Sequence, residues 1–199
     1  RGCEHGCIYC FARPTHTWEG LSAGLDFESK LFYKENAVEL LKRELSKPDY
    51  VPRVIALGMN TDAYQPVERE QRLTRELLEV LYAYRHPVSL LTKSALIQRD
   101  IDLIAPMAKA GLARVGVSIT TLDRTLSRKM EPRAATPQKR LDTMRALADA
   151  GIPVTAMTAP IIPGLNDHEI ESLLEAVSDH GATRAGYVML RLPYEIKDL

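Results

Sequence analysis

Five short apolar runs recur along the chain, at Val54 to Leu57, Val88 to Leu91, Ala113 to Ile119, Val154 to Met157 and Ala185 to Leu190, and they restrict the fold more than any other feature. Nearly continuous apolar runs suit parallel strands covered on both faces. Between them, apolar residues repeat at helical spacing: Val38, Leu41 and Leu45; Leu73, Leu77 and Leu81; Leu141, Met144 and Leu147; Ile170, Leu173, Leu174 and Val177. Each repeat reads as one βα unit. Gly111, Gly151 and Gly181 each stand between a helical stretch and the next apolar run, as helix-terminating glycines do. Thr136 before Pro137 is a helix start, a capping hydroxyl followed by proline at the first helical position. Pro106 falls about six residues into another helical stretch, so a kink or two short helices are expected there.

The chain has 199 residues, 45% of them hydrophobic, and 26 Lys and Arg against 26 Asp and Glu. That is enough apolar material for one globular domain over residues 1–199, and no linker or low-complexity stretch divides it. Balanced charge gives no overall sign of nucleic acid. Locally, Arg124, Arg128, Lys129, Arg133, Lys139, Arg140 and Arg145 face only Glu131 and Asp142. Such a stretch reads first as a solvated helix face, and otherwise as a site for a polyanion or a substrate carboxylate. No signal peptide and no apolar span of membrane length is present, so a reducing cytoplasm is the expected setting. The chain opens without Met and ends at Leu199 after an apolar run, and it reads as a piece of a longer protein.

All three cysteines, Cys3, Cys7 and Cys10, lie near the start of the chain. Thiolates this close converge on one metal centre if the backbone curls around it, and Gly2 and Gly6 give the backbone that freedom. Three ligands leave an iron–sulfur cluster one iron open to an outside group. Other readings compete. The same spacing fits one face of a helix, although Gly2, Gly6 and Pro14 make a poor one. A structural zinc site would take His5 or His16 as its fourth ligand, yet no second ligand pair of the usual kind occurs. A disulfide is disfavoured by the odd cysteine count.

Successive parallel βα units build either a doubly wound sheet or a barrel, and periodicity does not separate the two. No Gly-x-Gly-x-x-Gly turn supports a dinucleotide fold. In a barrel the chemistry gathers at the carboxyl ends of the strands. Polar residues cluster where that rule puts them: Asn60, Thr61 and Asp62; Thr92, Lys93 and Ser94; Ser118, Thr120 and Thr121.

The string Cys3-Glu4-His5-Gly6-Cys7-Ile8-Tyr9-Cys10 resembles the signature of the radical S-adenosylmethionine (SAM) superfamily, Cys-x-x-x-Cys-x-aromatic-Cys. The longer string from Arg1 to Pro14, together with Asn60 to Glu68, is similar to the subgroup related to spore photoproduct lyase. The resemblance implies an α/β fold, a partial (β/α) barrel of the radical SAM type whose first strand would precede Arg1. It implies a 4Fe-4S cluster on Cys3, Cys7 and Cys10, with Tyr9 as the motif's aromatic residue. SAM would be held by Thr61 and Asp62 at its amino group and by Lys93, with Ser94, at its carboxylate. Ser118 would meet the ribose, with Glu131 or Arg133 as further contacts. The segment from Ala159 to Asp167, Ile162 included, would flank adenine. Reductive cleavage of SAM would then supply a 5'-deoxyadenosyl radical, with the electron coming from a donor such as flavodoxin or ferredoxin.

Phe11, Trp18 and Phe27 read either as a cover over the cluster or as core. Lyase relatives use a further cysteine as hydrogen donor just before the position matching Asn60, and Met59 stands there instead. The resemblance therefore does not carry thymine-dimer repair or a substrate to this chain. A DNA-repair lyase and a non-catalytic metal module remain as alternatives.

Overall fold

The computed structural model describes residues 1–198, and Leu199 lies outside them. Strands β1 (Ile55–Leu57), β2 (Val88–Thr92), β3 (Ala113–Ser118), β4 (Val154–Ile161) and β5 (Arg184–Met189) fall on the five apolar runs. They form one wholly parallel sheet in sequence order, with Ile55 beside Val88, Val88 beside Ala113, Val115 beside Val154 and Thr155 beside Arg184. A doubly wound sheet reverses its strand order at a switch point. This sheet never does, and it is left unclosed, as a partial barrel wall.

Helices α1 (Leu25–Ser29) and α2 (Ala37–Leu45) precede β1, and α3 (Glu68–Gln71) and α4 (Leu73–Ala83) follow it. Next come α5 (Ile101–Lys109), α6 (Arg124–Met130), α7 (Pro137–Asp149) and α8 (Ile170–Asp179). The core between helices and sheet is built from side chains such as Leu78, Leu90, Ile104, Val115, Met144 and Val154. The expected helix signals hold. Thr136 Oγ1 accepts the Lys139 N–H at 3.4 Å with Pro137 at the first position of α7. Gly111, Gly151 and Gly181 all follow helices in the left-handed region. Pro106 does not divide the helix as expected: α5 runs through it, and the proline removes only the bond to the Asp102 carbonyl. The change of helix type comes earlier, where a 3-10 turn over Ala95–Asp100 hands over to α5.

Two expectations need correction. Strands β2, β3 and β4 are mostly buried, but β5 is exposed along its length, with Tyr187 at 68%. It is an edge strand paired only with β4, so apolar composition does not bring it two-sided cover. The basic stretch is likewise not uniformly solvated. Arg140 is 1% exposed, because its guanidinium is the partner of a buried carboxylate.

Candidate active site

The cysteine loop has no regular structure and is held by polar contacts along its length. Cys3 N–H donates to Phe27 O at 2.9 Å, Ile8 N–H to Met130 O at 3.0 Å and Arg133 N–H to His5 O at 3.2 Å. From within, the buried Arg13 guanidinium donates to Cys7 O at 3.1 Å, to Ala23 O at 3.1 Å and to Gly24 O at 3.0 Å, and it pairs with Glu28. The Arg133 side chain closes the outer side, bonding Glu4 O and Glu28. Gly6 lies at φ +67°, and a Cβ there would collide with the Arg133 guanidinium and the Glu28 carboxylate. The glycine is thus required by the clamp as well as by the turn.

The loop forms one wall of a cavity of about 330 Å³ at the carboxyl ends of the strands. Of the residues that the resemblance assigns to the cluster or to SAM, Cys3, Cys7, Cys10, Tyr9, Thr61, Asp62, Lys93 and Ser118 line it. Four others do not. Ser94 caps the Ala95–Asp100 turn by accepting Leu96 N–H at 3.2 Å. Glu131 lies behind Tyr9, Arg133 clamps the loop from outside, and Ile162 gives its N–H to Asn166 Oδ1 at 2.7 Å in the turn after β4. From the Ala159 to Asp167 segment, the cavity receives Ala159 and Pro160. Apolar lining that the sequence gave no reason to select comes from Leu91, Met157, Val188, Met189 and Leu190. Phe27 is buried against Cys3 and Ala12, Phe11 lines the cavity while staying 57% exposed, and Trp18 is 73% exposed.

Asp62 organises the cavity wall more than it faces it. Its Oδ1 accepts Tyr64 N–H at 2.9 Å and Thr92 Oγ1–H at 2.7 Å, while its Oδ2 accepts Lys93 N–H at 2.7 Å and lies 3.3 Å from His5 Nδ1. Burial opposes its charge, but these donors, His5 first, outweigh it and hold the carboxyl down at about 2. With both oxygens engaged, Asp62 fixes His5 and the Thr92–Lys93 turn. His5 itself lines the cavity.

A second network lies behind the loop. Glu131 is 2% exposed, paired with Arg140 and hydrogen-bonded by Tyr9 OH. Burial works against its ionisation, yet the Arg140 and Lys93 charges hold its carboxyl below the usual range. Arg140 also donates to Ala135 O at 2.7 Å and to Ser118 O at 3.1 Å, joining the loop to the end of β3. Lys93 Nζ stands 6.0 Å from the centre of the Tyr9 ring. Burial pulls the Lys93 pKa down, but the Cys7 and Glu131 charges more than compensate, and it ends above its ordinary value.

All three thiols are free. Burial raises each of them, Cys3 to about 11 and Cys7 to about 12, so a metal taken up here displaces protons. The donor set is soft and suits iron–sulfur chemistry or zinc. The candidate fourth ligands differ. His5 lines the cavity, and its Nδ1 faces Asp62 while Nε2 has no partner among the described residues; His16, absent from the cavity wall, has Nε2 2.8 Å from Lys30 O and its ring against Phe27 and Phe32. Three free thiols on one cavity wall suit an iron–sulfur cluster with one iron left open.

Known proteins agree with this geometry. The family model described as "Radical SAM superfamily" matches residues 1–177. An uncharacterized protein of Mycobacterium tuberculosis, Rv2578c, is 39% identical over 185 residues, which cover 92% of this chain and 54% of that protein. An uncharacterized protein of Methanocaldococcus jannaschii, MJ0683, is 33% identical over 168 residues, covering 84% of this chain and 60% of that one. The chain thus spans a little over half the length of the curated relatives it matches. Among solved structures, a spore photoproduct lyase with bound AdoMet and dinucleoside spore photoproduct is similar with a TM-score of 0.66 at 16% identity, over 97% of this chain and 55% of that one. SuiB of Streptococcus suis bound to S-adenosylmethionine gives 0.66 at 13% identity, over 96% of this chain and 39% of that one. No helix of the described residues is long and apolar enough to cross a membrane. A wholly parallel, unclosed βα sheet, a cavity at its carboxyl edge walled by Cys3, Cys7 and Cys10, and a family match over most of the chain lead to one conclusion: the chain belongs to the radical SAM superfamily.

Proposed function

We propose that this domain is the core of an enzyme that cleaves SAM reductively to begin hydrogen abstraction from a substrate, with Cys3, Cys7 and Cys10 holding a 4Fe-4S cluster. The observation that carries the reading is the convergence of all three free thiols on one cavity at the strand ends. When bound, the cluster supplies one electron to SAM, whose S–C5' bond breaks to give methionine and the 5'-deoxyadenosyl radical. The chain's own residues bind and orient. Lys93, cationic and beside Tyr9, offers the partner for the SAM carboxylate. Thr61 and Ser118 offer hydroxyls for polar groups of SAM. Met157, Ala159, Pro160 and Leu190 offer an apolar surface for adenine and help to exclude water. Asp62 holds His5 and the Lys93 backbone in place. An electron donor of the flavodoxin or ferredoxin kind and a cytoplasmic setting belong to the same proposal. Met59 lines the cavity at the place of the lyases' extra cysteine, so thymine-dimer repair is not included.

The test is formation of 5'-deoxyadenosine by the anaerobically reconstituted protein with SAM and dithionite, in the full-length polypeptide. Product that disappears in Cys10→Ala is the expected result. Product retained in that variant, or absent from cluster-loaded wild type, overturns the proposal.

A further inference from the structure

The cations of the basic stretch divide into two groups. Arg133, Arg140 and Arg145 are occupied with Glu28, Glu131 and the Asp179 carbonyl. Arg124, Arg128 and Lys129 of α6 and Lys139 of α7 are exposed, and among the described residues none of them enters an ion pair. Two exposed carboxylates nearby keep their charge, Asp123 at the cap of α6 and Asp142, which accepts from Gln138 at 2.9 Å, while Glu131 is paired with Arg140. Four free cations against two carboxylates leave this face net positive.

That face adjoins the cysteine loop. Met130, the last residue of α6, accepts the Ile8 N–H at 3.0 Å, and Ile8 follows Cys7 directly. Arg128 and Lys129 therefore stand within about one helical turn, ~5 Å of rise, of the backbone that carries Cys7. Ile8 is 57% exposed. An exposed apolar side chain beside a rim of free cations has the make-up of a small transient interface.

The geometry points to Ile8 with Arg124, Arg128 and Lys129 as the docking surface for an acidic one-electron carrier protein, of the flavin or small iron–sulfur kind. The inference rests on the radical SAM reading above. The cavity mouth is taken by SAM and substrate in that reading, so the outer side of the loop is the open approach to the cluster. In the step itself one electron leaves the carrier, which is oxidised by one electron, and enters the cluster, which is reduced by one. No bond is formed or broken. Free surface charges of one sign raise encounter rates with an opposite partner and make them salt-dependent. Single-stranded nucleic acid is the poorer fit, since α6 carries no aromatic side chain on which bases could stack.

The test follows cluster reduction by stopped-flow absorbance, with a flavodoxin of net negative charge in its hydroquinone form and, in parallel, with dithionite. Wild type and an Arg128→Glu, Lys129→Glu double variant are compared at low and high salt. Expected is a loss of about tenfold or more in the bimolecular rate with flavodoxin, a smaller salt dependence in the variant, and dithionite rates within about twofold of each other. An unchanged flavodoxin rate, or equal losses with both reductants, overturns the docking surface. So does binding of a 20-base-pair DNA duplex that the same substitutions abolish while flavodoxin reduction is untouched. Wild type that takes up no iron and sulfide overturns the cluster reading instead, and the absorbance spectrum distinguishes that result before any carrier is added.

Discussion

Glu131→Gln tests the network behind the cysteine loop most directly. Glu131 and Arg140 are 2% and 1% exposed, and the pair is completed by Tyr9 OH and by the Ala135 and Ser118 carbonyls. Neutralising the carboxylate leaves the Arg140 guanidinium charged in the interior with only neutral acceptors to face, the Ala135 and Ser118 carbonyls and one amide oxygen. Removing one member of a buried pair costs about 3–5 kcal/mol, which for a chain of this size is roughly 10 °C in Tm. Urea unfolding of the cluster-free protein near neutral pH, followed by circular dichroism, reads the loss as a lower midpoint with an unchanged slope. A companion variant, Glu131→Leu with Arg140→Met, removes both charges together. It is expected to cost less than the sum of the two single changes, because neither charge is then stranded. A Glu131→Gln loss below about 1 kcal/mol, or an additive double variant, would refute the assignment of the pair as the loop's internal anchor.

Three further outcomes are expected. Gly58→Ala should destabilise by about 2 kcal/mol or more, since Gly58 sits at φ +86° and a Cβ would overlap the Leu91 carbonyl; a urea midpoint equal to wild type contradicts this. Asp62, held at about 2 against an ordinary 3.8, binds its proton more weakly in the folded state. It therefore contributes about 2.5 kcal/mol at pH values above 3.8, lost as pH falls through 2, so the stability gap between the cluster-free wild type and Asp62→Asn should close in acid; a gap that stays constant from pH 5 to 2 contradicts it. Lys93→Ala should weaken SAM binding roughly thirtyfold, about 2 kcal/mol, while leaving the cluster spectrum intact; equilibrium dialysis with labelled SAM checks it, and unchanged affinity removes Lys93 from the SAM site.

The strands were legible because parallel βα units announce themselves locally, through apolar runs, a capping Thr136 and terminating glycines, and all five fell where the runs lie. Burial of β5 was not legible, since edge position depends on what pairs with a strand and not on its own composition. The cavity-lining positions at the strand ends followed from barrel logic, as with Thr61, Lys93 and Ser118. Glu131 and Arg133 came from the resemblance alone, and here Glu131 pairs with Arg140 while Arg133 braces the loop, contacts that the sequence gave no means to foresee. Arg13 went unremarked because a buried arginine that satisfies backbone carbonyls leaves no periodicity and no motif. Only the closed loop reveals its use. Short α1 and α3 escaped because one or two turns give too few repeats to register as helical.

The loop's three arginine braces have a thermodynamic consequence for the life of the cofactor. In a zinc finger the chain is ordered by the metal, and removing the metal unfolds it. Here Arg13, Arg133 and, through Glu131 and Tyr9, Arg140 order the cysteine segment by bonds that involve no thiol. Its conformational entropy is lost once, at folding. On the proposed reading, iron and sulfide would meet a loop already in place, and loss of the cluster would leave the loop's own bonds intact.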